Sequence, residues 1–165
     1  NFAAVQQLPV IFVCENNLFS VYTHLSERQP NRDLGKIGEA HGLGVIHLNG
    51  NNVFEVAAAF KRIFENARTH NKPSLIIMDT YRWREHCGVN FDDHLGYRDD
   101  KEVKRWMEND PVKLASQLVI DAGVLDQGKL DSVHTGIRAK VATYFEDAIK
   151  APLPSPERAE LYMYA

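Results

Sequence analysis

The clearest pattern in the chain is a set of three short apolar runs, each closed by polar residues. "LPVIFVC", residues 8–14, is a continuous apolar run of the kind that forms a strand buried on both faces, and it stops at Glu15, Asn16 and Asn17. "LGVIHLNG", 43–50, is a second run, ending in the turn pair Asn49-Gly50. "KPSLIIMDT", 72–80, is a third, introduced by Pro73. Between them the period changes. "RDLGKIGEAHG", 32–42, predicts a short helix closing at Gly42. "NNVFEVAAAFKRIFENARTH" predicts a longer one, with Val53, Val56, Ala57, Phe60, Ile63, Phe64 and Ala67 on one face. Asn52 with Glu55 three residues on resembles a capping box in which Asn replaces Ser or Thr. The opening "NFAAVQQLP" reads as the last turns of a helix.

After residue 82 periodicity is lost. "WREHCGVNFDDHLGYR", 83–98, is too long for an idle connection and is either a functional or a mobile loop. Helical sequence resumes in "DDKEVKRWMEN" and in "DPVKLASQLVIDAG", with Asp110 as N-cap and Pro111 at the first position. A last helix carries Leu130, Val133, Ile137, Val141, Tyr144, Phe145 and Ala148 on one stripe. The tail "PLPSPERAELYMYA" suits a segment draped on a surface or a partner.

Strands alternating with helices imply βαβ units and an α/β fold: a parallel sheet with helices on its faces. In such sheets sites form beyond the carboxyl ends of the strands. Asn16-Asn17, Asn49 to Asn52 and Tyr81 to His86 all follow strand ends, so one edge should gather all three clusters.

Composition narrows the function classes. The 165 residues are 44% hydrophobic and 25% charged, with net charge −3, as expected of a globular protein. No basic run supports nucleic-acid binding. No apolar run approaches the roughly 18 residues of a membrane span. Cys14 and Cys87 lack metal-type spacing, and a reducing cytoplasm is the expected location.

Several residues are candidates for chemistry. The Asn17 amide oxygen is a neutral, hard ligand suited to Mg²⁺, and a bend through Leu18 and Phe19 could bring a backbone carbonyl to the same ion. Equally, Asn16 and Asn17 could simply terminate the strand and bond the turn. His86, near Arg82 and Arg84, suits anion binding or proton transfer, or is a solvated loop histidine. Cys87 has no base-and-orienter pattern around it. His41, His47, His70, His94 and His134 show no ligand spacing. Asp92-Asp93 is expected to serve loop solvation, because adjacent side chains point apart.

The order of the pieces carries more than any one of them. "LPVIFVCENNLFSVYT", "NGNNVFEVAAAFKRI", "KPSLIIMDTYRWREHCG…GYRDDKEVKRWMENDPVKL" and "PLPSPERAELYMYA" together resemble the alpha subunit of the thiamine diphosphate-dependent first component of 2-oxo acid dehydrogenase complexes. That family includes pyruvate, branched-chain 2-oxo acid and acetoin dehydrogenases.

The resemblance implies a thiamine diphosphate-binding fold, here a single partial domain over 1–165. Residues 1–82 would form the βαβ core, 83–98 the active-site loop and 99–165 a helical part and tail. It implies that Asn17 ligates Mg²⁺ through its side chain and Phe19 through its carbonyl. It implies that His86 contacts the cofactor diphosphate and assists at the reacting centre, and that Arg82 helps anchor the loop. It further implies a beta subunit in an α2β2 assembly, a lipoyl-bearing acyltransferase that receives the acyl group, and a 2-oxo acid substrate. Neither nucleic acid nor membrane is expected as a partner. An acetoin-cleaving or transketolase-like carboligase subunit, or a non-catalytic assembly domain, is the alternative.

Departures from the family pattern also matter. The family's metal motif opens with Gly-Asp-Gly well upstream of its final Asn, whereas only sixteen residues precede Asn17. The chain is therefore expected to be a carboxy-terminal fragment that is inactive alone, its loop poorly ordered without cofactor. Asn49-Gly50-Asn51-Asn52 stands where the family often has Asp-Gly-x-Asp. Cys87 stands where mitochondrial members carry a phosphorylatable serine, so that control should be missing.

Overall fold

A computed structural model describes residues 1–29, 33–159 and 161. They form two compact units, residues 1–118 and 119–165.

In the first unit α1 (Phe2–Val5) precedes β1 (Ile11–Asn16). A two-stranded antiparallel ribbon, β2 (Phe19–Ser20) with β3 (Thr23–His24), leads to α2 (Leu25–Arg28) and α3 (Leu34–Ala40). Then come β4 (Gly44–Asn49), α4 (Val53–His70) and β5 (Ser74–Asp79). After a loop containing a 3₁₀ turn at Asp93–Leu95, α5 (Asp100–Glu108) and α6 (Pro111–Asp121) follow. The expected helix start at Arg32 lies outside the described residues.

The three long strands run parallel in the order β1-β5-β4. Side chains alternate across a strand, so the register assigns each helix its face. Ile46, Leu48, Ile76 and Met78 point to one side, where α4 buries Ala59 and Ile63 against Ile76. Val45 and Leu75 point to the other, where Gly35 and Gly38 of α3 come close enough to touch them. Helices on both faces make three layers, the α/β architecture expected.

Two details differ from the pattern reading. The first apolar run predicts a strand buried on both faces, but among the described strands β5, not β1, is flanked by strands on both sides. Ile76 and Ile77 are fully buried, whereas Phe12 and Val13 of β1 are 44% and 49% exposed. On α4 the buried positions are Ala59, Ile63 and Ala67, while Val53, Ala57 and Phe64 are exposed. Small residues on that line let the helix backbone approach the sheet, and the bulkier side chains flank it.

The predicted caps form. Asn52 Oδ1 accepts from Glu55 N at 3.2 Å, although Asn52 N donates to Asn49 O rather than to Glu55. Asp110 Oδ1 accepts from Val112 N at 2.7 Å, ahead of Pro111.

In the second unit α7 (Gln127–Lys150) starts from Asp126, whose carboxylate accepts from Lys129 N at 2.8 Å. Its stripe is a helical face as predicted. Leu130 is buried, but Val133, Ile137, Val141, Tyr144 and Phe145 are 46–68% exposed. The tail reading falls partly on residues 160 and 162–165, outside the described residues. No described helix is long and apolar enough to cross a membrane.

Candidate functional site

Register alone gathers the polar strand ends. Asn16, Asp79 and Asn49 occupy one row across β1, β5 and β4. Asn16 Nδ2 donates to Asp79 Oδ1 at 2.9 Å, and the ladder continues past the row as Gly50 N donates to Asp79 O at 2.9 Å. The apolar run therefore pairs through Glu15 and Asn16, because β5 offers partners as far as Asp79.

Beyond Asn16 the backbone bends sharply. Asn17 Oδ1 accepts from Phe19 N at 3.0 Å, an Asx turn. Leu18 and Val21 sit at φ +65° and +55°. Left-handed non-glycine residues cost on the order of 1–3 kcal/mol each and persist only where the surroundings hold them. Here Leu18 O accepts from Leu25 N at 2.7 Å, and Val21 O accepts from Arg82 Nη2 at 2.7 Å. Phe19 packs edge-on against His24, Tyr81 and Tyr97, with centroids 5.1, 6.1 and 5.8 Å away. Cys14, Glu15, Asn17, Phe19, Arg28 and Leu34 line a cavity of about 310 Å³ at this edge. Burial, with the Asp79 and Glu15 carboxylates nearby, pushes the Cys14 thiol up and keeps it neutral.

The structure places Asn17 and Phe19 in one turn, and Arg82 reaches the same ribbon through Val21 O. Arg82 donates through both terminal nitrogens to backbone, Nη1 to Arg84 O at 2.6 Å and Nη2 to Val21 O. It ties the β2–β3 ribbon to the start of the loop. His86 is exposed and makes no hydrogen bond or ion pair among the described residues.

One residue pair overturns its sequence reading. Asp92 is buried, paired with the buried guanidinium of Arg98. Arg98 also bonds Asp93 at 2.8 Å and donates to the Arg82 and Trp83 carbonyls. Asp92-Asp93 converge on one cation instead of solvating the loop. Tyr97 OH donates to Asp92 Oδ2 at 2.8 Å, and burial plus that bond push the phenol up. No local signal reveals this pairing, since Arg98 meets its partners only after the loop folds back.

A second polar cluster lies past β4 and β5. Asn51, 3% exposed, donates through Nδ2 to Asn109 O at 2.8 Å and accepts from Thr80 Oγ1 at 2.9 Å. Tyr81 stacks on Trp106 with centroids 5.5 Å apart. Burial and the Glu102 carboxylate raise the Tyr81 phenol far above its usual range. Asp79 was missed from sequence, although an acid closing an apolar run is the signal that drew attention to Glu15.

A parallel sheet covered on both faces, with polar groups beyond its carboxyl edge, defines an α/β protein, and in such folds ligands bind beyond that edge. A profile of the dehydrogenase E1 component matches residues 1–157. The chain belongs to that family. It is 30% identical over 162 residues to the pyruvate dehydrogenase E1 component subunit alpha of Rickettsia bellii, covering 98% of this chain and 48% of the relative. It is 32% identical over 165 residues to the 2-oxoisovalerate dehydrogenase subunit alpha of Bacillus subtilis, covering 100% and 49%. With the human mitochondrial 2-oxoisovalerate dehydrogenase subunit alpha it shares 33% identity over 157 residues, 94% and 35% of the two chains. The chain spans about half or less of these relatives.

The donors at the edge fit part of a Mg²⁺-diphosphate site. Asn17 supplies a hard neutral oxygen within an open cavity, and Mg²⁺ takes few protein ligands when phosphate oxygens complete its shell. Among the described residues no group of three or more His, Cys, Asp or Glu could hold a metal. The other ligands would come from phosphate, water or protein beyond this chain.

Proposed function

We propose that the chain is part of the alpha subunit of a thiamine diphosphate-dependent dehydrogenase. That enzyme would decarboxylate a 2-oxo acid and pass the acyl group to a lipoyl carrier. The observation that carries the reading is the Asn17–Phe19 turn just past the end of β1, its ribbon tied to Arg82 through Val21 O, in a chain matched to the family almost end to end. Asn17 would hold Mg²⁺ through Oδ1 and Phe19 through its carbonyl. Bound thiamine diphosphate would supply the electron sink.

The chain's own residues have distinct tasks in this reading. Asn17 and Phe19 fix the cation. Arg82, its terminal nitrogens spent on backbone, positions the loop that carries His86. Exposed His86 would contact the cofactor diphosphate and assist at the reacting centre. A beta subunit in an α2β2 assembly and a lipoyl-bearing acyltransferase are the proposed partners, and the cytoplasm the proposed location.

The test is thiamine-dependent decarboxylation by the parent protein co-expressed with a beta partner. Asn17→Ala is expected to lower activity at least 100-fold and raise the Mg²⁺ requirement. His86→Ala is expected to lower turnover with cofactor affinity changed less. Unchanged activity in both variants rejects the assignments. Titrating the 165-residue chain alone with thiamine diphosphate and Mg²⁺ is expected to give only weak binding.

A further inference from the structure

A separate basin lies beyond the ends of β4 and β5. His47, Asn49, Asp79, Trp106 and Asn109 are among the residues that line its volume of about 430 Å³, within the range of small-ligand sites. Its electrostatics are unbalanced. Asp79 belongs to none of the ion pairs among the described residues, and its carboxylate accepts only the side-chain amide of Asn16 among them. No Lys or Arg lines the basin.

Beside His47 and Leu48, the other walls are amides and an aromatic ring. The Asn109 side chain donates through Nδ2 to Arg105 O at 2.9 Å, leaving its Oδ1 as an acceptor with no partner among the described residues. Trp106, its indole held by a stack on Tyr81, also lines the basin. Buried Asn51 braces this wall, bonding Asn109 O on one side and Thr80 on the other. A carboxylate, a free amide oxygen and an aromatic surface complement a planar or compact organic cation. The carboxylate pairs with its charge and the ring quadrupole attracts it.

We infer that this basin binds a guanidinium or alkylammonium group, with Asp79 as counter-ion and Trp106 as aromatic wall. The inference does not rest on the proposed dehydrogenase activity, since neither Asp79 nor Trp106 has a role in it and neither lines the Asn17–Phe19 cavity.

The experiment titrates the 165-residue chain, carrying Trp83→Phe so that Trp106 is the one tryptophan, with methylguanidinium, butylammonium and the neutral isostere methylurea. Saturable fluorescence change is expected with the two cations and not with methylurea. Asp79→Asn is expected to weaken binding at least tenfold, and Trp106→Leu, followed by amide chemical shifts of Asn49 and Asn109, to weaken it about as much. The second variant keeps the test decisive if the first does not fold. A blocked arginine peptide that binds tenfold tighter than methylguanidinium identifies a protein side chain as the source, and equal affinity a free small molecule. Equal response to methylurea, or unaltered titration in both variants, overturns the inference.

Discussion

The guanidinium of Arg98 is fully buried against the carboxylate of Asp92, whose side chain is 5% exposed. Through the carbonyls of Arg82 and Trp83 the pair closes the 83–98 loop on itself. Removing one partner of a buried pair strands the other's charge. Asp92→Ala is expected to destabilise the chain by about 3 kcal/mol, the low end of that cost because Asp93 remains beside the cation. Asp93→Ala, on the more exposed partner, is expected to cost under about 1 kcal/mol. Urea midpoints of the two variants check the ranking, and equal losses would contradict it. Amide exchange should be slow at Leu95 and Gly96, whose N–H groups donate to Asp92 O and Asp93 O, and fast at His86 to Val89.

Val21 holds φ +55° with a β-branched side chain that is 38% exposed. Its conformation is set by Arg82, which grips the carbonyl and not the side chain. Asn tolerates the left-handed region far better than Val. Val21→Asn is therefore expected to stabilise by about 1 kcal/mol, raising Tm by about 3 °C. A lower Tm would mean that the valine methyls contribute more than the backbone strain costs.

How much of this was legible in the sequence follows from the range of each interaction. Strands, caps and the shared polar edge rest on contacts a few residues apart or on strand alternation, and they were readable. Asn17 was readable as a turn former or a ligand, and its bond to Phe19 N agrees with the first without removing the second. What escaped depends on chain folding back over tens of residues. Arg82 reaches Val21, and Asp79 meets Asn16, across sixty-one and sixty-three positions. The exposure of Phe12 and Val13 depends on β1 having one sheet neighbour, which periodicity does not encode.

The two thiols should react differently. Cys87 is exposed, whereas burial and nearby carboxylates push the Cys14 thiol up. Iodoacetamide at mildly alkaline pH is expected to modify Cys87 at least tenfold faster, since the thiolate is the nucleophile. Peptide mass spectrometry over time reads the two rates. The same shift has a stability consequence. The folded state holds the Cys14 proton more tightly than the unfolded chain does. Its contribution is complete below the ordinary thiol range and is lost as pH rises from there through the raised folded value. The raised Tyr81 phenol adds a loss of the same sign at higher pH. Stability should thus fall on the alkaline side, less steeply in Cys14→Ala, and a parallel fall in both proteins would argue against the cysteine.

Two glycines in helices give opposite expectations for one substitution. A methyl on Gly38 of α3 would come within 2.7 Å of Leu75 Cδ2 and 2.9 Å of Val45 Cγ2, where the helix lies on the sheet. Gly38→Ala is expected to destabilise by about 1–3 kcal/mol through overpacking. Gly136, in the interior of α7, has open space around the same methyl. There alanine only restricts the unfolded backbone and favours the helix, a gain of about 0.5–1 kcal/mol. Thermal melts followed at 222 nm should move in opposite directions. If Gly136→Ala also lowers the midpoint, that face of α7 is covered by something a methyl displaces.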